Sequence, residues 1–480
     1  MGTGAGRAPT ALTYPGGQQQ TLSYNADGEL SSVGYPSLAA AQFTYNPNGT
    51  LASAVLPNGV SIRYGYDAND WLKTLTVQAA GSGPTFSWTY GHDGDGHITA
   101  VSYTGSGSSG FGNPADTSSS YSYNADGELV GARYSNGTTQ SWTYNALGEQ
   151  TSQTTNGTTV DYSYNAALEL TAAGSNTYSD NADGERTGAT IGGSSVSYTY
   201  DATGELTGYS GPSGSVSFTY NGAGERVAET AGGVSTAYVL DEAVPTAPIL
   251  AEVSGSSTTT LLYAGQAPLG SESPAGSWSY PIVDGMGNVR YLTDAAGTAT
   301  VSSYLYDGYG NVLASSGTVA SPLQYKGEPT DGTSGLVPMG VRMYDPSTGV
   351  LLTPDPLTVG LPPVGALLQP LRLNPYAFAD NEAHPGGGSD GAVLHCQPAG
   401  LWLDSGDGRR RRADPRLAVQ RVVRARGRPT APRCPAQRRG ADRGALWRGR
   451  GAGRRRAGVG VDRLRGLDQH VHQLHPGRGQ

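Results

Sequence analysis

The stretch "GVRMYDPSTGVLLTPDPL", residues 340–357, gathers side chains able to do chemistry: Arg342, Asp345 and Asp355. Two carboxylates close enough to share a proton let one activate water while the other protonates a carbonyl. A guanidinium beside them can hold a carboxylate or a substrate oxygen bidentately. Taken as residues alone, the three have plainer readings. Asp345-Pro346 with Gly349 suits a turn, and Asp355-Pro356 suits another corner. Arg342 suits a salt bridge within an acidic body. "NGT" at Asn48, Asn136 and Asn156 matches an N-glycosylation acceptor, yet Asn-Gly between alternating runs is also the strongest short hairpin signal. His470, His472 and His475 stand beside no organised Cys pattern, which is a weak zinc signal. The reading calls for no metal and no cofactor.

The elements that would position these residues are repetitive. "SYNADGEL" at 23–30 returns letter for letter at 122–129, and "DNADGER" at 180–186 is a frayed third copy. Aligned on Tyr, the chain reads YNADGEL (24–30), YNPNGTL (45–51), YNADGEL (123–129), YNALGEQ (144–150), YNAALEL (164–170), YDATGEL (200–206), YNGAGER (220–226) and YDGYGNV (306–312). A spacing of about 20 residues is the mark of stacked supersecondary units. "SVSYTYD" (195–201) and "SVSFTYN" (215–221) alternate apolar and polar residues, which reads as strands with one buried face. Asn or Asp then opens a turn, and Gly three residues on accepts positive φ. About ten residues later, Asn48-Gly49, Asn58-Gly59, Asn136-Gly137 and Asn156-Gly157 read as type I′ hairpins. The expectation is an all-β, antiparallel meander.

Tyr-Asp/Asn-x-x-Gly-x-Leu/Arg at this period resembles the YD repeat of rearrangement-hotspot (Rhs) proteins, teneurins and insecticidal Tc toxins. The resemblance covers about residues 12–310, with the motif degraded at 66–72 and 239–265. It implies a meander spiralling into a hollow β-shell. From about 280, "VDGMGNVRYLTDAAGTATVSSYLYDGYGNVLASSG" (283–317), "LQYKGEPTDGTSGLVPMGVRMYDPSTGVLLTPDPL" (323–357) and "NPYAFADNE" (374–382) resemble the Rhs repeat-associated core. The implied organisation is a disordered start (1–11), YD/RHS repeats (12–279), the core domain (280–382) and a disordered tail (383–480). About ten or a dozen repeats are few for a closed shell, so a partial one is expected.

In that family the core closes the shell and often acts as an aspartyl autoprotease, leaving a C-terminal toxin inside. The essential Arg and Asp map onto Arg342 and Asp355, with Asp355 as general base and Arg342 orienting or stabilising charge. The family's second Asp lies in a terminal Asp-Pro-x-Gly, where this chain has "NEAHPGGGSDGAV" (381–393); Asp380 and Asp390 match no family position. The resemblance therefore implies a structural, shell-forming protein that encloses and delivers a toxin, its own C-terminal cargo being the partner. Two alternatives stay open. One is an active autoprotease releasing its own C-terminus. The other is a cell-surface adhesin binding carbohydrate through exposed Tyr edges. Family members are secreted or surface-located, through delivery machinery the chain does not name.

Composition agrees with an unusual interior. Of 480 residues 72 are Gly and 29 Tyr, against 5 Phe and 4 Met, whereas globular cores usually rest on Leu, Ile, Val and Phe. No apolar run is long enough to cross a bilayer, and "MGTGAGRAPTALTYPGG" shows no signal-peptide pattern. Residues 1–385 carry 10 Lys and Arg against 32 Asp and Glu, whereas 386–480 carry 21 Arg against 7 Asp. Cys396 and Cys434 both fall in the second part, so the first can hold no disulfide. Residues 386–480 lack Tyr, Phe, Ile, Asn, Lys, Glu and Met altogether. Such Arg/Gly/Pro text could bind nucleic-acid phosphates. It also reads as out-of-frame translation of a GC-rich gene, with the shift near 382–386, and on that reading nucleic-acid binding is no selected function.

Overall fold

The computed structural model describes residues 9–105, 110–112, 118–244, 247–356 and 374–381. Cys396, Cys434, His470, His472, His475 and the Arg-rich segment lie outside the described residues. Strands are numbered in chain order from β1 (Ala11–Thr13) to β32 (Val350–Leu351). Among the described residues there is no α-helix, and the 3-10 turns are Ala80–Ser82, Tyr325–Gly327 and Ala379–Asn381.

β1 to β29 (Val312–Gly317) make one 29-stranded sheet in which successive strands pair antiparallel. β1 and β29 do not pair with each other, so the sheet is open. β18 (Ser194–Tyr200) shows why these residues form strands: Val196 and Tyr198 are buried, while Ser195, Ser197 and Thr199 are exposed. The meander runs on through β26 (Trp278–Val283), β27 (Val289–Thr293), β28 (Thr300–Tyr306) and β29, inside the segment read as the core domain.

The turn module works through its Asn. Asn25 Oδ1 accepts from the Asp27 and Glu29 amides at 3.0 and 2.9 Å, and Nδ2 donates to Glu29 Oε2 at 2.6 Å. The Asn25 amide donates to the Glu29 carbonyl at 2.9 Å, and Gly28 takes φ 85°. Asn124–Glu128 and Asn181–Glu185 repeat this brace. It satisfies backbone donors that a bare loop would leave to water.

Next to each turn sits a β-bulge. Tyr24 pairs with Leu30 while Ser23 pairs with Ser32, leaving Ser31 as the extra residue. The motif Tyr then reaches back one unit. Tyr45 donates to Leu30 O at 2.9 Å, Tyr66 to Leu51 O at 2.9 Å, Tyr144 to Leu129 O at 2.7 Å and Tyr220 to Leu206 O at 2.8 Å. A Phe could fill the same space but could not make this bond, which accounts for a chain rich in Tyr and poor in Phe. The Tyr164 and Tyr200 hydroxyls break the ladder: both are buried without a hydrogen-bond partner among the described residues.

Three turn expectations need correction. Of the four Asn-Gly pairs, Asn156-Gly157 alone has both residues at positive φ, 51° and 84°, as a type I′ turn demands. At Asn58-Gly59 the Gly59 amide bonds to Leu56 O and the Leu56 amide to Val60 O, so Gly alone enters the left-handed region. That is a type I turn with a Gly bulge, and the Asn136-Gly137 and Asn48-Gly49 loops close the same way. The supposedly degraded motif at 66–72 is also an intact turn, because Asp70 adopts φ 64° where Gly usually stands. The Asp67 carboxylate braces it, accepting from the Asn69 and Trp71 amides.

Long-range contacts bring separated strands together. The Tyr14 hydroxyl donates to Leu261 O at 2.9 Å, Asn58 Nδ2 to Thr293 Oγ1 at 3.0 Å, and the Gly308 amide to the Tyr134 hydroxyl at 2.7 Å. Trp88 stacks on Tyr291 with centroids 5.4 Å apart. A second core joins Tyr162, Tyr178, Tyr198 and Phe218 of the sheet to Leu336, Met343, Leu352 and Tyr376.

Candidate functional site

Arg342 opens β31 (Arg342–Asp345), the middle strand of a three-stranded sheet with β30 (Val337–Met339) and β32. The family resemblance assigns Arg342 and Asp355 to one site, and here Arg342 Nη2 lies 3.4 Å from Asp355 Oδ2. The guanidinium is buried at 4% exposure, whereas the Asp355 side chain keeps 28%, enough to touch water. Arg342 Nη1 donates to Pro375 O at 3.0 Å, and the Asp355 amide donates to the same oxygen at 2.9 Å. One carbonyl therefore sits between a cation and an amide, beside a carboxylate. Asp390 and the side chain of Asp380 lie outside what the structure describes.

Asp345 is the plain turn its sequence suggested. Its carboxylate accepts from the Ser347 amide and from Thr348 Oγ1, both at 2.9 Å, and Gly349 follows at φ 74°.

Sequence reasoning missed a second polar group at the frayed repeat. In "DNADGER" Asp180 stands where the motif has Tyr, with Arg186 at the position that takes Leu or Arg, and the bulge makes them cross-strand partners. Both side chains are 3% exposed, with Arg186 Nε 3.6 Å from Asp180 Oδ1. The Arg186 guanidinium also lies over the Tyr178 ring at 4.5 Å. Burial pushes the Asp180 carboxyl up to about 6, against the pull of Arg186. The Asp in place of Tyr, across from an Arg, was the available signal. Elsewhere burial lifts Glu328 to about 7 and lowers Lys326 to about 8.

Asp93, Asp95 and His97 bring ligand atoms within 4.8 Å of one another. Asp93 Oδ1 already accepts from three backbone amides, and Oδ2 meets His97 Nδ1 at 2.8 Å. This is the repeat's turn brace with His in place of Glu, which is enough to explain the cluster.

The family model for the teneurin YD-shell matches residues 85–384, and an RHS repeat model matches residues 45–82. The chain belongs to the teneurin YD-shell family. Solved structures of the same shell fold include TcdB2–TccC3–Cdc42, at 15% identity and TM-score 0.58, covering 78% of this chain and 20% of that one. The Tc holotoxin pore of Photorhabdus luminescens, with a substitution in TccC3, has 16% identity and TM-score 0.58 over 82% of this chain and 21% of that one. The chain thus spans about a fifth of the length of the Tc chains it resembles. No curated protein matches it. Within this YD-shell chain all 29 tyrosines fall among the described residues and none is exposed. The adhesin reading expected exposed Tyr edges; here the rings are buried or half-buried, and many hydroxyls are spent on carbonyls. No described helix is long and apolar enough to cross a membrane.

Proposed function

We propose that this chain is wall and core of a secreted or surface-delivered β-shell that encloses a polypeptide joined to its C-terminal side, a toxin in the intact form. The observation that carries the reading is the hydroxyl-to-carbonyl ladder. Where it is unbroken it fastens a unit to the one before and adds no binding surface, which suits an enclosure. The Tc neighbours support it by their fold. On this reading repeats occupy 12–279 and the core 280–382. The Arg-rich text after 385 is out-of-frame translation that replaces the cargo. The test is to put a small protease-sensitive reporter in place of residues 386–480. Enclosure predicts that the attached reporter resists protease while the same reporter added free is digested. Equal digestion overturns it.

A second reading rests on the meeting of Arg342 and Asp355. With a second carboxylate they would cut the chain near 380–390, Asp355 taking a proton from water and Arg342 holding the developing negative charge. Intact mass of the purified chain decides this. Two pieces, abolished by Asp355→Asn, would establish the protease; a single full-length species would leave the pair without a cutting role.

A further inference from the structure

Residues 374–381 lie across the turns of the frayed region and are held at several points. Asn374 and Asn381 both donate through Nδ2 to Gly148 O, at 3.2 and 2.7 Å. Asn381 Nδ2 also reaches Glu128 Oε1 at 3.3 Å. The Tyr376 hydroxyl donates to Gly184 O at 3.0 Å, and a Cβ on Gly184 would fall 2.5 Å from that hydroxyl. Pro375 O takes the Arg342 and Asp355 donors described above. Three repeat turns, at 124–128, 145–149 and 181–185, therefore serve as sockets for one short segment.

What lies beneath is unusual for a protein interior. Arg186 is 2% exposed, yet its Nε and Nη1 have no hydrogen-bond partner among the described residues, and neither have the buried Tyr164 and Tyr200 hydroxyls. The charge of Arg186 acts on Tyr164, Tyr200 and Tyr376, and Glu169 and Asp180 act on Tyr376 as well. Arg186 keeps its ion pair with Asp180 at 3.6 Å, but its Nη1 and the two hydroxyls lack hydrogen bonds among the described residues, a desolvation cost that water would remove. The frayed repeat thus sets Asp180, in place of the motif Tyr, across from Arg186, and leaves groups that gain by being wetted directly where the segment sits.

We propose that residues 374–381 are a strap that opens and closes as a unit over this under-satisfied floor while the meander beneath stays folded. Its fastenings are side chains on turn carbonyls, the Leu351 amide on Tyr376 O and the buried Tyr376 and Phe378 rings, all of them non-covalent and remade on closing. Arg342 and Asp355 act in this device as the clasp on Pro375. Opening lets water reach Arg186 and frees the clasp.

Hydrogen exchange on the full chain tests it. The reporters are the amides of Asp355, Tyr376 and Asn381, bonded to Pro375 O, Asn374 Oδ1 and Phe378 O. The β18 amides serve as reference for the sheet. In the native chain the strap amides are expected to exchange faster than those of β18. Asn381→Asp sets a carboxylate against Glu128 and Gly148 O, and should speed strap exchange by about tenfold, the effect of losing one buried hydrogen bond, with β18 unchanged. Restoring the motif with Asp180→Tyr and Arg186→Leu should slow strap exchange, because the floor no longer gains by wetting. Strap and β18 amides exchanging together in the native chain, or an Asn381→Asp strap that exchanges at the native rate, overturns the proposal.

Discussion

Replacing single motif tyrosines by Phe should give opposite signs at positions the sequence makes look equivalent. In Tyr66→Phe or Tyr220→Phe the lost hydroxyl had donated at 2.9 or 2.8 Å to a carbonyl one unit back. Removing it leaves a half-buried carbonyl short of a donor and should destabilise that hairpin by about 1–2 kcal/mol. In Tyr164→Phe or Tyr200→Phe the lost hydroxyl is buried and has no partner. Its removal relieves a desolvation cost, so the change should be neutral or stabilise by up to about 1 kcal/mol. Repeat stability is a sum of local terms, so the assay is peptide-resolved hydrogen exchange rather than one melting point. A difference of about 1 kcal/mol changes the local opening equilibrium by roughly fivefold. Tyr220→Phe should raise exchange in β20 (Gly214–Tyr220) and β21 (Arg226–Ala231), and Tyr200→Phe should leave β18 and β19 (Leu206–Gly211) unchanged or slower. If Tyr200→Phe loosens its hairpin as much as Tyr220→Phe does, the hydrogen-bond account of the tyrosines is wrong.

Further predictions concern turns and charge. Leu168 holds φ 66° where other motif turns have Gly; a bulky residue there costs about 1–2 kcal/mol. Leu168→Gly should therefore stabilise its hairpin, by less than that amount because Gly loosens the unfolded chain, and urea titration followed by exchange would show it. Asn181→Ala removes the oxygen that accepts from two backbone amides, and the Glu185 brace with it, and should cost about 2 kcal/mol by the same readout. Gly297→Ala would drive a Cβ to 2.5 Å from Asn58 O at φ +70°, so it should break the contact between Asn58 and Thr293 and lower thermal stability. Asp180 at about 6 and Glu328 at about 7 lie above their ordinary values through burial. The folded chain then binds protons the unfolded chain does not, so stability should rise as pH falls from about 7 towards 5. Asp201, held below its ordinary value by the Thr203 hydroxyl, contributes the opposite trend below about 4. A thermal midpoint that falls between pH 7 and 5 would contradict this balance.

The strands and their order were legible because both signals are local. Alternation names the buried face of β18, and Asn with Gly three residues on closes a turn at Asn25 or Asn181 with no help from elsewhere. The type of hairpin was less legible. Asn-Gly fits both a two-residue loop and the bulged loop at Asn58, and only main-chain pairing tells them apart. Asp70 was misread because a side chain that braces its own turn can enter the left-handed region without being Gly. Arg342 and Asp355 were paired by resemblance, and their meeting agrees. The reach of Tyr14 to Leu261, or of Asn381 to Gly148, has no local signature, since no repeat period specifies which distant turns meet. The Asp180–Arg186 pair was in plain view as an Asp where the repeat has Tyr, but burial gives the two letters their meaning.

A sheet whose strands pair in the order in which the chain runs is, mechanically, a zip. Tension applied along the chain from β1 would load the β1–β2 seam first, then β2–β3, so that failure travels one hairpin at a time instead of breaking many bonds together. The Tyr-to-carbonyl ladder acts in the same direction, each tooth catching on the unit before it. Such a wall could be unspooled by a modest steady pull on one end.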